Sequence, residues 1–189
     1  MGLSEILTRA KSGDEHARAE VVKAAYEDLR RIAQSHMSNQ RPDHTLTSTA
    51  LVNELALKLL SEESIPTDSR VHFLAYAAKA MRNLLIDHAR SKRRKKRGGH
   101  LQKVVLVEAC LAAEQQADEL LALNEALEQL AIHRPRQAKV VEMRYFGGLK
   151  LEDIASALEV SLATVKRDWE IARTLLLASI TEHEDSKRD

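Results

Sequence analysis

The 189-residue chain has little that would support catalysis, export or membrane insertion: one cysteine, no long apolar run and no strand-like alternation. A lone Cys110 excludes an internal disulfide framework and suits a reducing cytoplasm, where a buried inert thiol is its ordinary role. No apolar run approaches the roughly 20 residues that span a bilayer, and the N-terminus lacks a basic-then-apolar signal pattern. A cytoplasmic protein without membrane contact is expected. None of the eight histidines forms an i, i+4 pair, and there is no His-Glu-x-x-His, Gly-x-Gly-x-x-Gly or P-loop. Cys110 also has no cysteine partner for zinc. No enzyme activity, metal or cofactor is therefore expected.

What is present is a globular composition, 44% hydrophobic and 30% charged, at a length that suits one large or two small domains. The net charge of +1 hides a partition. Residues 1–97 hold 18 Lys/Arg against 12 Asp/Glu, whereas residues 98–189 hold 11 against 16, so the halves carry +6 and −5.

The periodicity predicts an all-α protein. Ser12-Gly-Asp-Glu15 has capping-box spacing and opens a helix over about 13–38, through Val21, Val22, Ala25, Tyr26, Leu29, Ile32 and Ala33. Arg41-Pro-Asp-His44 breaks it. A second run, Leu46 to Leu60, places Leu51, Val52, Leu55 and Leu59 on one side, with Asn53, Glu54 and Lys58 turned away toward a partner. A loop from Ser61 to Arg70 leads to a third helix over about 71–96, with Phe73, Tyr76, Ala77, Ala80, Leu84 and Ile86 mostly in the core. Its end, Arg90-Ser-Lys-Arg-Arg-Lys-Lys-Arg97, is basic at seven positions in eight and is either a solvated tail or a phosphate-tracking surface. Residues 98–117 read as a linker between a domain at 1–97 and another at 118–180, with a polar tail at 181–189. Helices are predicted near 118–130 and from Pro135 to Gly147-Gly148.

The second domain ends in Leu151 to Arg173, which reads as a helix-turn-helix. Leu151, Ile154, Ala155 and Leu158 repeat at helical spacing, as do Val165, Trp169, Ala172 and Leu176. Between them Glu159-Val160-Ser161 supplies the turn, a buried apolar peg and a hydroxyl N-cap. Glu159 occupies a place where glycine often takes a left-handed conformation, and Lys150 is a poor N-cap beside the dipole-compatible Glu152 and Asp153. Ser161, Thr164, Lys166, Arg167 and Arg173 lie on or near the outer face, where a recognition helix meets base edges and phosphates. An ordinary αα-hairpin with a solvated basic face is the competing reading. An acidic half carrying such a motif should bind DNA weakly alone, since phosphate neutralisation supplies much of the affinity.

Together these features resemble a bacterial RNA polymerase sigma factor of the extracytoplasmic-function (ECF) group of the sigma-70 family, over nearly the whole chain. Leu51-Val-Asn-Glu-Leu-Ala-Leu-Lys-Leu-Leu60 resembles the second-region helix, Ala80-Met-Arg-Asn-Leu-Leu-Ile-Asp87 and its basic extension the promoter-melting helix, and Val140 to Leu176 the fourth region. The resemblance implies a promoter-recognition subunit. Leu51, Asn53, Glu54 and Lys58 would dock on the beta-prime clamp of core RNA polymerase. Arg82, Asn83 and Asp87, with the loop from Ser61 to Arg70, would capture a base of the minus-10 element. Arg90, Lys92, Arg93 and Arg94 would hold its phosphates. For Asp87, pairing with Arg90 within the helix is an equal alternative. The C-terminal helix would read the minus-35 element of promoter DNA while its domain packs on the beta flap, and tethering by polymerase would compensate for weak intrinsic affinity.

One departure bears on regulation. Where family members carry acidic residues before the second-region helix, this chain has Thr47-Ser48-Thr49-Ala50. Two readings follow: the hydroxyls N-cap the helix, or phosphorylation of Thr47, Ser48, Thr49 or Thr45 by a Ser/Thr protein kinase restores the missing charge. A stand-alone helix-turn-helix regulator is the alternative to the sigma-factor reading, but it leaves the N-terminal domain unexplained.

Overall fold

The computed structural model describes residues 3–37, 47–65, 67, 69–98 and 107–185. Among them are eight α-helices and no strand: α1 Leu3–Lys11, α2 Glu15–Met37, α3 Ser48–Ser61, α4 Arg70–Gly98, α5 Val107–His133, α6 Pro135–Val141, α7 Leu151–Ala157 and α8 Leu162–Asp185. A π-helical turn, Glu142–Phe146, continues α6. No helix among the described residues is long and apolar enough to cross a membrane. Two compact units result, each drawing on both halves of the chain: Met1–Leu84 with Val140–Lys166, and Leu85–Lys139 with Arg167–Asp189.

In the first unit α2 packs on both α1 and α3. Val21, Val22, Ala25, Leu29, Ile32 and Ala33 of α2 form a buried stripe, matched by Leu7 and Ala10 of α1 and Leu51, Val52, Leu55 and Leu59 of α3. The capping-box expectation needs correction. Asp14, not Ser12, caps α2: its Oδ1 accepts from the Ala17 N–H at 3.0 Å, while the Ser12 hydroxyl donates back to the Arg9 carbonyl. Arg9 explains the choice, because its Nε and Nη2 both donate to Asp14 Oδ2, at 2.9 and 2.7 Å. These bonds, the backbone one first, hold the Asp14 carboxyl below its ordinary range.

The same unit contains residues 140–149. Phe146 is buried, with His36 stacked on it and Tyr145 meeting both rings edge-on. Burial pushes the His36 imidazole below its ordinary value, although the Phe146 and Tyr145 carbonyls oppose the shift. Gly147 stands against the Ala78 side chain of α4.

In the second unit Ile86 and Ala89 of α4 pack on Leu121 of α5, with Ala117 and Leu120 beside them. α5 starts at Val107, inside the stretch read as linker, and α8 continues past 181 to Asp185. The linker reading rested on weak apolar periodicity, but Val107-Glu-Ala-Cys-Leu-Ala-Ala-Glu-Gln-Gln is rich in strong helix formers. The early part of the predicted linker, residues 99–106, lies outside the described residues.

Candidate polymerase and promoter-DNA interface

Helix α3 begins where Thr47, extended at φ −91° and ψ 159°, accepts from the Ala50 N–H at 3.1 Å. Its first turn contains no acidic residue. Asn53 and Glu54 are exposed and Lys58 is half-buried, whereas Leu51 is wholly buried and supports the face from beneath. The Tyr26 hydroxyl of α2 donates to Asn53 Oδ1 at 3.3 Å and orients that side chain. Leu57 completes the outward face, 68% exposed between Glu54 and Ser61. Sequence reading did not single it out; its position four residues after Asn53 and three after Glu54 was the available signal. Thr49 is exposed and Ser48 half-buried, while Thr45 lies outside the described residues.

On α4, Asn83, Asp87, Arg90 and Arg94 are all exposed, and their spacing of four, three and four puts them in one stripe. Arg82 points elsewhere. It donates from Nη1 to Glu142 Oε2 at 3.1 Å, with the two side chains only 14% and 18% exposed, and its guanidinium lies 6.0 Å from the Phe146 ring centre. The side chains of Lys92 and Arg93 lie outside the described residues.

The loop before α4 is anchored at several points. Ile65 is buried and donates its N–H to the Ala10 carbonyl at 3.3 Å, Arg18 donates to the Glu62 carbonyl, and Thr67 is buried. Ser69 then caps α4, its Oγ accepting from the His72 N–H at 3.2 Å, while Arg70 pairs with Asp28. Pro66 and Asp68 lie outside the described residues.

The helix-turn-helix has the expected local chemistry. Glu159 adopts φ 53°, the left-handed conformation normally left to glycine, and the Val160 N–H closes the turn on the Ala155 carbonyl at 3.1 Å. Lys150 makes no side-chain cap, and Ser161 Oγ accepts from the Thr164 N–H at 3.1 Å. Val160 is half-buried rather than fully buried as expected, because it sits at the edge of a turn. Ser161 and Thr164 share a hydroxyl bond of 2.8 Å, so both serve the start of α8. Lys166, Arg167 and Arg173 are exposed, and Arg173 pairs with Glu170 at 3.1 Å.

Asp168 of α8 is turned inward, 1% exposed beside the buried Val165, Ala172 and Leu176. Its Oδ2 accepts from Arg136 Nε at 2.6 Å, and its Oδ1 accepts from Gln137 Nε2 at 2.9 Å and Arg136 Nη2 at 3.3 Å. The hydrogen bonds from Arg136 to Asp168, then the opposite charge, raise the guanidinium above its ordinary value.

Among the described residues no group of three His, Cys, Asp or Glu side chains gathers as a metal site would require. The exposed features of these helices are an outward face on α3, a polar and basic stripe on α4, and a basic face on α8. In a comparison with curated proteins, none matches the chain. A family model described as ECF sigma factor matches residues 1–182, so the chain belongs to the ECF sigma factors, non-enzymatic promoter-recognition subunits that direct RNA polymerase in transcription initiation.

Proposed function

We propose that α3 is the docking helix for the beta-prime clamp of core polymerase, and that phosphorylation before or at its first turn controls this docking. The observation carrying the reading is an α3 N-terminus built from Thr47, Ser48 and Thr49, with no carboxylate in the first turn, directly before the outward face of Asn53, Glu54 and Leu57. A phosphate there adds about −1.5 to −2 charge at neutral pH and lies at the positive end of the helix dipole. It would therefore stabilise the helix while supplying negative charge to a basic partner. Thr47 and Thr49 are both exposed; Thr47 already serves as cap, so modification there exchanges one cap for another.

The minus-10 element is assigned to the α4 stripe of Asn83, Asp87, Arg90 and Arg94 and, on the sequence alone, to Lys92 and Arg93. Arg82 joins it only by exchanging Glu142 for DNA. The minus-35 element is assigned to α8 through Lys166, Arg167 and Arg173, with Ser161 and Thr164 shaping the helix start. The family match across both halves disfavours a stand-alone regulator.

Gel filtration with bacterial core polymerase tests the switch, comparing unmodified protein, kinase-treated protein and the triple variant Thr47→Glu, Ser48→Glu, Thr49→Glu. Stable association of the modified forms alone supports it. Equal association of unmodified and phosphorylated protein removes the switch but leaves α3 as the docking helix.

A further inference from the structure

We propose that Asp168 is a positioning residue for promoter reading: its bonds to Arg136 and Gln137 set the rotation of α8 about its own axis, and thereby which base edges Lys166, Arg167 and Arg173 can reach. The proposal rests on the assignment of α8 to the minus-35 element. Its starting point is chemical. Burying a carboxylate at 1% exposure is costly, and an ion pair of this kind is often no more stabilising than apolar side chains of similar volume. Arg136, still 46% exposed, keeps part of its hydration, so net stability is a poor explanation for the arrangement.

Geometry is a better one. The other inward residues of α8, Val165, Ala172 and Leu176, make non-directional contacts, and Ala172 leaves a smooth place in the stripe. Such a face tolerates small rotations. The fork of Arg136 on Asp168, with Gln137 as a third donor, does not, because hydrogen bonds weaken steeply away from their preferred distance and angle. Side chains reach about 5–6 Å from a helix axis, so a rotation of roughly 20° moves their tips by about 2 Å. That exceeds the width of the distance window of a base-edge hydrogen bond, about 0.5 Å between roughly 2.7 and 3.2 Å. Lys166 and Arg167 precede Asp168 by two and one residues, and Arg173 follows by five, so rigid rotation displaces all three together.

The test uses holoenzyme reconstituted with bacterial core polymerase and a promoter library randomised across the upstream element, each member linked to its own transcribed barcode, and reads the upstream sequences whose barcodes are enriched among transcripts. Three variants are compared with wild type: Asp168→Asn, Arg136→Lys, and the apolar pair Asp168→Leu with Arg136→Met. The first removes the charge, the second keeps charge but loses the fork, and the third keeps the volume without directional bonds. Wild type should prefer the favoured base by roughly 5- to 150-fold per position. Asp168→Asn and the apolar pair should flatten that preference to about 3-fold or less while still forming holoenzyme, with Arg136→Lys in between. If variants enrich the same sequence as wild type with only a lower yield, Asp168 is structural and the proposal fails, while the assignment of α8 stands. If wild type itself enriches no upstream sequence, the assignment of α8 fails and the proposal falls with it. Should Asp168→Asn not form holoenzyme, Arg136→Lys and the apolar pair decide by the same criterion.

Discussion

Replacing Gly147 with alanine tests whether the π-turn packs on α4 as the structure has it. The backbone at Gly147 has φ −99° and ψ −10°, which any L-residue adopts, so conformational strain plays no part. Space does. An added Cβ would lie 2.7 Å from Ala78 Cβ, Leu149 Cδ1 and the Met143 carbonyl oxygen. Carbon atoms prefer about 3.5–4.0 Å, and although the Leu149 methyl can rotate away, the other two atoms move only with α4 or the turn. Overpacking of this kind costs about 1–3 kcal/mol, offset by about 0.4–1 kcal/mol from the stiffer unfolded chain. The net loss of about 1–2 kcal/mol should lower Tm by roughly 2–8 °C for a chain of this size. Gly148 supplies the contrast, since its φ of +60° is the obstacle and the nearest atom, Ile32 Cγ1, is at an ordinary 3.5 Å. Asparagine, which tolerates that conformation, should recover most of the loss caused by alanine at 148 and none at 147. A Tm raised by Gly147→Ala would refute the packing, because only the unfolded-chain effect would remain.

Three further outcomes follow from single residues. Glu159→Gly relieves a left-handed cost of about 1–2 kcal/mol and returns about 0.4–1 kcal/mol through the unfolded chain, so Tm should rise by roughly 1–3 °C; a fall would mean Glu159 makes a compensating contact. Leu57→Asp should weaken core-polymerase binding by about 30-fold or more while leaving Tm within about 2 °C, and unchanged binding would remove Leu57 from the docking face. His36 has its folded pKa below the ordinary 6.5, so the unfolded state takes the proton first as pH falls. Its contribution is full above about 6.5 and declines below, by at most about 1.4 kcal/mol per pH unit; His36→Phe should flatten the melting-temperature profile between pH 7 and 5 relative to wild type, and parallel profiles would exclude the effect.

Much of the fold was legible because its signals are local. The left-handed Glu159, the Ser161 cap and the missing Lys150 cap all follow from residues within a few positions of one another. What was illegible depends on distant partners. Ser12 has the capping-box spacing, but Arg9, from a helix the periodicity did not single out, holds Asp14 in the capping position instead. Leu57 lies in a run apolar on nearly every side, Leu51-Val-Asn-Glu-Leu-Ala-Leu-Lys-Leu-Leu60, where periodicity does not say which leucine faces outward. Asp168 inverts the usual rule that charges lie outside, and its partners stand more than thirty residues earlier in the chain. Arg82 and Asn83 are sequence neighbours, but a step of about 100° sends one to Glu142 and the other to the exposed stripe.

On the proposed assignment, affinity and sequence reading are divided between the two DNA-facing helices. The basic run ending α4 can neutralise several phosphates and so contributes attraction with little sequence content. The outer face of α8 is poorer in charge: Arg173 is shared with Glu170, and the Ser161 and Thr164 hydroxyls are committed to the helix start. A face with so few donors gains little from electrostatic attraction and must rely on having each donor well aimed. Holding both helices on one polymerase raises the second contact to an effective concentration in the millimolar range, which makes a weak reader sufficient. Accuracy of aim then limits discrimination, and a buried carboxylate fixed by three hydrogen bonds is more useful to such a helix than another surface lysine.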